Sequence, residues 1–212
     1  MSRTHIVNLG LPKTGTTTLT DALRLAGLTV ADWKIRDGQS ANPEIKGMHV
    51  GKIIYADYFV SGDPLARLDE FDVINEMSAV RHDRSLWPQT DWGLLSAIIE
   101  HHPGVKFVMT WRDPAKTANS MMRWNNLGKR RLPQADIPGL PRGFGSTEAE
   151  LARWLEGHYR FCRQVFKGAD NFLEYDIEAP DAQARVAGYL GLDLPWWGQS
   201  NVGKPEHPDE VV

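Results

Sequence analysis

The 212-residue chain is 42% hydrophobic and 24% charged, which excludes a disordered polypeptide. Its 24 basic and 27 acidic residues leave a formal net charge of −3, which argues against whole-protein attraction to nucleic acid or an anionic membrane. The one cysteine, Cys162, excludes an intrachain disulfide and a multi-cysteine metal site.

The elements alternate from the start. Ile6 to Leu9 is a short apolar run suited to a buried parallel strand. Gly10 to Thr18 is small, flexible and polar. Leu19, Ala22, Leu23 and Ala26 then recur at helical spacing, and Gly27 is placed to end that helix. Leu28–Trp33 reads as a second strand and 34–51 as a polar, glycine-rich loop. Pro64–Glu70 reads as a short helix and Phe71–Asn75 as a strand with Glu76 at its end. Arg81-His82-Asp83-Arg84 reads as a charged loop. Asp91 is set to cap a helix carrying Leu94, Leu95, Ile98 and Ile99, which His101-His102-Pro103-Gly104 ends.

Val105–Trp111 is the strongest strand, and Arg112-Asp113-Pro114 turns it into a helix bearing Ser120 and Met121. Residues 125–146, with Lys129-Arg130-Arg131 and then Pro138, Gly139 and Pro141, read as a lid or binding loop. Thr147-Glu148-Ala149-Glu150 has the form of a capping box opening a long helix whose apolar face includes His158 and Cys162. Phe172–Tyr175 is the last strand, Ala182–Leu190 the last helix, and 196–212 a tail. This alternation predicts a three-layer α/β domain spanning 1–212, with a mainly parallel sheet of about five strands. No apolar run approaches membrane-spanning length, and Met1–His5 lead straight into the first strand without a signal peptide. A cytoplasmic protein is therefore expected.

The chemistry begins in the first loop. A loop turning directly into a helix aims backbone N–H groups at one spot, where the helix dipole also favours an anion. Lys13 adds a positive charge and Thr14, Thr16, Thr17 and Thr18 add hydroxyls, so the loop suits a phosphate or sulfate. It is not the usual triphosphate loop, in which lysine directly follows the second glycine. Here Lys13 stands two residues before Gly15. Gly10-Leu11-Pro12-Lys13-Thr14-Gly15-Thr16-Thr17 resembles the 5′-phosphosulfate loop of the sulfotransferases that use 3′-phosphoadenosine 5′-phosphosulfate (PAPS). The resemblance implies a sheet like that of the P-loop kinases, with helices on both faces.

A second stretch fits the same family. Arg112 ends a strand and Ser120 follows eight residues later, resembling the motif that holds the 3′-phosphate of the nucleotide. Phe172–Asp176 resembles a later family segment more loosely. On that likeness Tyr175 lies near the adenine, and as a plain residue it is a buried structural tyrosine. Asn201-Val202-Gly203-Lys204 falls where many relatives have a basic loop closing over the nucleotide, a role for which only Lys204 supplies charge; a solvated tail is the other reading.

The resemblance implies transfer of a sulfuryl group from PAPS to a hydroxyl or amine, releasing adenosine 3′,5′-bisphosphate, with no metal required. The acceptor is a small molecule or glycan that the sequence does not name. Trp124, Arg130, Arg131 and Phe144 are expected to help shape its pocket, and Lys129–Arg131 to attract an acidic acceptor. Relatives use a histidine or a carboxylate as base, and the candidates are Glu76, His82, and Asp37 or Glu44. Two alternatives stand: an ATP-dependent P-loop kinase, and a nucleotide-binding relative without turnover.

Overall fold

The computed structural model describes residues 3–81 and 83–200. Five strands form one parallel sheet: β1 (Ile6–Asn8), β2 (Val30–Ala31), β3 (Val73–Ile74), β6 (Lys106–Trp111) and β7 (Phe172–Asp176), in the order β2-β3-β1-β6-β7. Two short strands between them, β4 (Ala79–Arg81) and β5 (Arg84–Leu86), pair as an antiparallel hairpin. The helices are α1 (Thr16–Leu25), α2 (Val50–Ser61), α3 (Trp92–His101), α4 (Pro114–Arg123), the single turn α5 (Leu132–Gln134), α6 (Glu148–Val165) and α7 (Ala182–Leu190). A mainly parallel five-stranded sheet with helices around it is the α/β architecture expected from the sequence.

Two apolar clusters cover the two faces of the sheet. Val7, Phe107 and Met109 point into the larger one, with Ile53 and Ile54 of α2, Leu94, Leu95 and Ile98 of α3, and Leu151, Leu155 and Cys162 of α6. Ile6, Val73, Val108 and Tyr175 point the other way, beneath Leu19 and Leu23 of α1 and Val186 of α7. This is the alternation of a pleated strand buried on both faces.

Several boundaries differ from the sequence reading. Helix α2 lies where no helix was expected. Its apolar residues run nearly all round, with Ile53 and Ile54 buried but Phe59 and Val60 exposed, so no clean period marks it. Pro64–Glu70 forms turns rather than a helix. In the charged stretch, Arg81 and Arg84 face each other across the hairpin. The region 125–146 is not one irregular loop. It contains a π turn (Leu127–Arg131) and α5, and it buries Leu127, Leu132, Ile137 and Leu140 in the larger cluster. The caps behave as read. Asp91 accepts from the N–H groups of Gly93 and Leu94, and Thr147 with Glu150 forms a capping box.

Candidate functional site

In an open parallel sheet, ligands bind beyond the carboxyl ends of the strands, where the chain's connections diverge to either side. Here that point is β1, which lies between β3 and β6. The loop after β1 holds the predicted anion-binding residues. Lys13 takes a left-handed backbone at φ 71°, unusual for a residue with a side chain, and Gly15 follows at φ 108° as the N-cap of α1. Gly15 gives the helix no side-chain cap, so its first N–H groups are left for an external anion. A Cβ on Gly15 would stand 2.5 Å from Ile177 Cγ1, and one on Gly10 would stand 2.4 Å from Thr110 Oγ1. Thr14 is buried and donates to the Leu11 carbonyl at 2.7 Å, closing the loop on itself.

A buried amide network holds the loop from below. Asn8 Nδ2 donates to Asn75 Oδ1 at 2.8 Å, while Asn8 Oδ1 accepts from Thr110 Oγ1 at 2.9 Å and from the Gly10 N–H at 3.0 Å. Asn75 Nδ2 reaches the Thr16 carbonyl at 2.7 Å and also the Thr20 hydroxyl. Three adjacent strands and α1 thus meet in one set of satisfied polar groups, which costs little and fixes the loop's position. Asn8, Asn75 and Thr110 were not selected from the sequence, although polar residues at the ends of buried strands were the available signal.

On the β6 side, Lys13 Nζ rests 3.2 Å from the centroid of the Trp124 ring. Arg112 directly follows β6, and its Nε donates to Glu178 Oε1 at 2.9 Å; Lys116 Nζ donates to the other oxygen of Glu178 at 2.6 Å. These two cations, Lys116 first, hold the Glu178 carboxyl below its usual range. Ser120 lies in α4, partly exposed. Glu178, just after β7, is a partner of Arg112 that the sequence did not reveal.

On the β3 side stands Glu76. It is 8% exposed, and Thr16 Oγ1 lies 3.4 Å from its Oε2 while the Ser78 N–H donates to Oε1 at 3.0 Å. Burial, reinforced by the nearby Asp32 charge, pushes its pKa up to about 8. Burial raises Asp32, at the end of β2, as well. Beside this pair lie Trp33, which meets the His49 ring at 5.6 Å, and Arg36 and Arg81, each with its guanidinium 5.8 Å from the Trp33 ring.

No protein-family model matches the chain, and no curated protein matches it. Among solved structures it is similar to mouse sulfotransferase SULT7A1 complexed with PAP, with a TM-score of 0.49 and 14% identity over 92% of this chain and 62% of that one. It is also similar to a sulfotransferase from Alicyclobacillus acidocaldarius, with a TM-score of 0.46 and 14% identity over 99% of this chain and 88% of that one. The chain therefore spans less than two thirds of the mouse structure's length.

The other predicted residues fall as follows. Pro12, Lys13, Thr14, Gly15, Thr16, Thr17 and Thr18 gather in the loop and the first turn of α1, with Glu76 at their side. Asp37 and Glu44 are exposed. Tyr175 is 1% exposed, with burial holding its phenol well above its ordinary value. His82 and Lys204 lie outside the described residues. Cys162 is buried beside His158, whose Nε2–H donates to the Leu9 carbonyl at 2.7 Å and which packs as a core residue. Among the described residues, no three His, Cys, Asp or Glu side chains come together as a metal site, and no helix is long and apolar enough to cross a membrane.

Proposed function

We propose that the protein transfers a sulfuryl group from PAPS to a hydroxyl or amine acceptor, releasing adenosine 3′,5′-bisphosphate. The observation that carries this reading is the pairing of an anion loop with a carboxyl group. The Gly10–Thr18 loop leads into an uncapped helix, and the protonatable Glu76 touches the first residue of that helix.

The residues suit such a donor. The N-terminus of α1 and Lys13 would receive the 5′-phosphosulfate and offset charge building on the leaving phosphate. Arg112 and Ser120, beyond the neighbouring strand, would receive the 3′-phosphate, with Glu178 releasing Arg112 as the ligand enters. Glu76 would take the acceptor's proton as its oxygen or nitrogen forms the new bond to sulfur and the bond from sulfur to the phosphate oxygen breaks. A sulfuryl group carries less charge than a phosphoryl group, so lysine and backbone donors suffice in this scheme.

Calorimetry with adenosine 3′,5′-bisphosphate and with ATP, each with and without Mg²⁺, tests the donor. Tight, metal-independent binding of the bisphosphate is expected. Preference for Mg²⁺-ATP would replace this reading with the kinase one. Bisphosphate binding without sulfate transfer to any acceptor in a labelled-sulfate screen would replace it with a binding protein.

A further inference from the structure

The carboxyl pair Asp32 and Glu76 borders a compact cationic surface. Its centre is Trp33, partly exposed and in contact with the His49 ring. Arg36 and Arg81 come to the indole from β2's trailing loop and from the β4–β5 hairpin, each 5.8 Å from the ring centroid. Lys34 pairs through its backbone with His49, and Arg84 stands opposite Arg81 in the hairpin. The acidic side chains here are Asp83, bound to Arg84 at 3.1 Å, the exposed Asp37, and Asp32, whose carboxyl feels the Arg36 charge. Four cations thus share one small area of a protein whose net charge is negative.

His49 records the field of that area. Burial first, then the charges of Arg81, Arg84 and Lys34, bring its pKa down to about 4, against a smaller opposing effect of Asp83. It is neutral at physiological pH, and its Nε2 is buried with no hydrogen-bond partner among the described residues. A flat indole flanked by guanidinium groups offers two things at once. The ring stacks on the C–H face of a sugar or on an aromatic ring, and the guanidiniums pair with a carboxylate or sulfate on the same molecule. Lys129–Arg131, the basic run singled out in the sequence, is a weaker candidate, because the Arg131 guanidinium is bonded to the Val80 carbonyl at 2.7 Å and Lys129 and Arg130 are exposed on a separate turn.

We infer that the surface formed by Trp33, Arg36, Arg81 and His49 is the acceptor subsite, and that the acceptor is a hydroxyl-bearing ring carrying its own anionic group. This rests on the sulfuryl-transfer reading, since it sets the acceptor's hydroxyl toward Glu76. The anion fixes the ring's orientation, and the hydroxyl that faces Glu76 is the one that reacts.

The test compares p-nitrophenyl β-D-glucuronide with the neutral p-nitrophenyl β-D-glucoside on the full chain by calorimetry, with adenosine 3′,5′-bisphosphate titrated separately. The glucuronide is expected to bind about tenfold tighter or better, with the margin shrinking as salt is raised. In an Arg36→Ala/Arg81→Ala variant the margin should fall to about onefold while bisphosphate affinity stays within about twofold of the parent. Trp33→Ala should weaken both glycosides together. Equal affinity for the two glycosides, or a margin that survives loss of both arginines, would overturn the subsite. Loss of bisphosphate binding with the glucuronide preference intact would instead sink the donor reading and leave an anionic-sugar site.

Discussion

The Thr16 hydroxyl lies 3.4 Å from Glu76 Oε2, which joins the first helical residue of the anion loop to the end of the neighbouring strand. This contact sets a carboxyl whose pKa burial raises to about 8 against the first turn of α1, where on the proposed reading an acceptor would meet the bound donor. A group poised near the working pH is what general-base catalysis needs. Its position also makes the proposal open to direct tests.

Glu76 should govern the pH dependence of turnover. The base form is the ionised one, and with a pKa of about 8 it accumulates as pH rises through that value. The rate is expected to rise through pH 6 to 8, reach half its maximum at about 8, and level off about one unit above that. Glu76→Gln should lower the rate by roughly 10²- to 10⁴-fold and abolish that limb. The same shift has a stability signature of opposite sense. The folded state keeps the proton between the ordinary value of 4.5 and about 8, so the group's contribution to stability falls as pH rises through that window. The melting temperature of Glu76→Gln relative to the parent should therefore climb from pH 5 to pH 8.5. A constant difference would show that Glu76 is not perturbed.

Lys13 should act on the reaction more than on the fold. Its ammonium rests on the Trp124 ring, so a bound phosphosulfate must draw it from that face. Lys13→Ala is expected to lower turnover by about 10²- to 10³-fold, the range for one charge-stabilising donor. Bisphosphate binding should change tryptophan emission in the parent and change it less in Trp124→Phe. Equal changes in the two proteins would detach Lys13 from the ligand.

Arg112 and Glu178 make a switchable pair. Glu178 holds Arg112 and Lys116 together, so on the proposed reading a 3′-phosphate would compete with a carboxylate already in place. Arg112→Ala should weaken bisphosphate binding about tenfold or more, and Glu178→Gln should strengthen it by removing the competitor. Calorimetry at two salt concentrations reads both. Normal bisphosphate binding by Arg112→Ala would sink the 3′-phosphate assignment.

How much of this was legible in the sequence follows from what kind of signal each feature leaves. The loop, the cap at Asp91, the capping box at Thr147 and the strong β6 strand are local, written in residues that are neighbours along the chain. Helix α2 escaped because burial on one side and exposed Phe59 and Val60 on the other erase its period. The site's surroundings escaped for another reason. Asp32 with Trp33, His49 and Arg81 come from three segments far apart in the chain that meet only in the fold, and Glu178 reaches Arg112 across 66 residues. Exposure adds to what the sequence offered on the base candidates: Glu76 already stood at a strand end while Asp37 and Glu44 fell in a loop, and the fold buries the first and exposes the other two.

Gly15 is required twice over. Its φ of 108° penalises any side chain, and a Cβ would press on Ile177 at 2.5 Å. Gly15→Ala should cost on the order of 1–3 kcal/mol. Adding Ile177→Ala should recover only the contact part, because the backbone strain stays. Urea denaturation of both variants separates the two contributions, and full recovery would mean that the backbone there is unstrained.

His158 should make the protein acid-sensitive. It is 5% exposed, burial brings its pKa down to about 4 from 6.5, and it bonds the Leu9 carbonyl at the root of the loop. The unfolded chain therefore binds a proton that the folded chain refuses, so this group's contribution to stability is lost as pH falls from 6.5 through about 4. His49 shifts in the same direction. Glu76 shifts oppositely, but it is present in both proteins compared and cancels in the difference. His158→Gln keeps an amide donor for Leu9 and removes the titration. It should be less stable than the parent at pH 7, where a well-packed imidazole is lost, and lose less further stability on going to pH 5. Urea midpoints at the two pH values give the comparison. Parallel losses in parent and variant would show that folding leaves the His158 pKa unshifted.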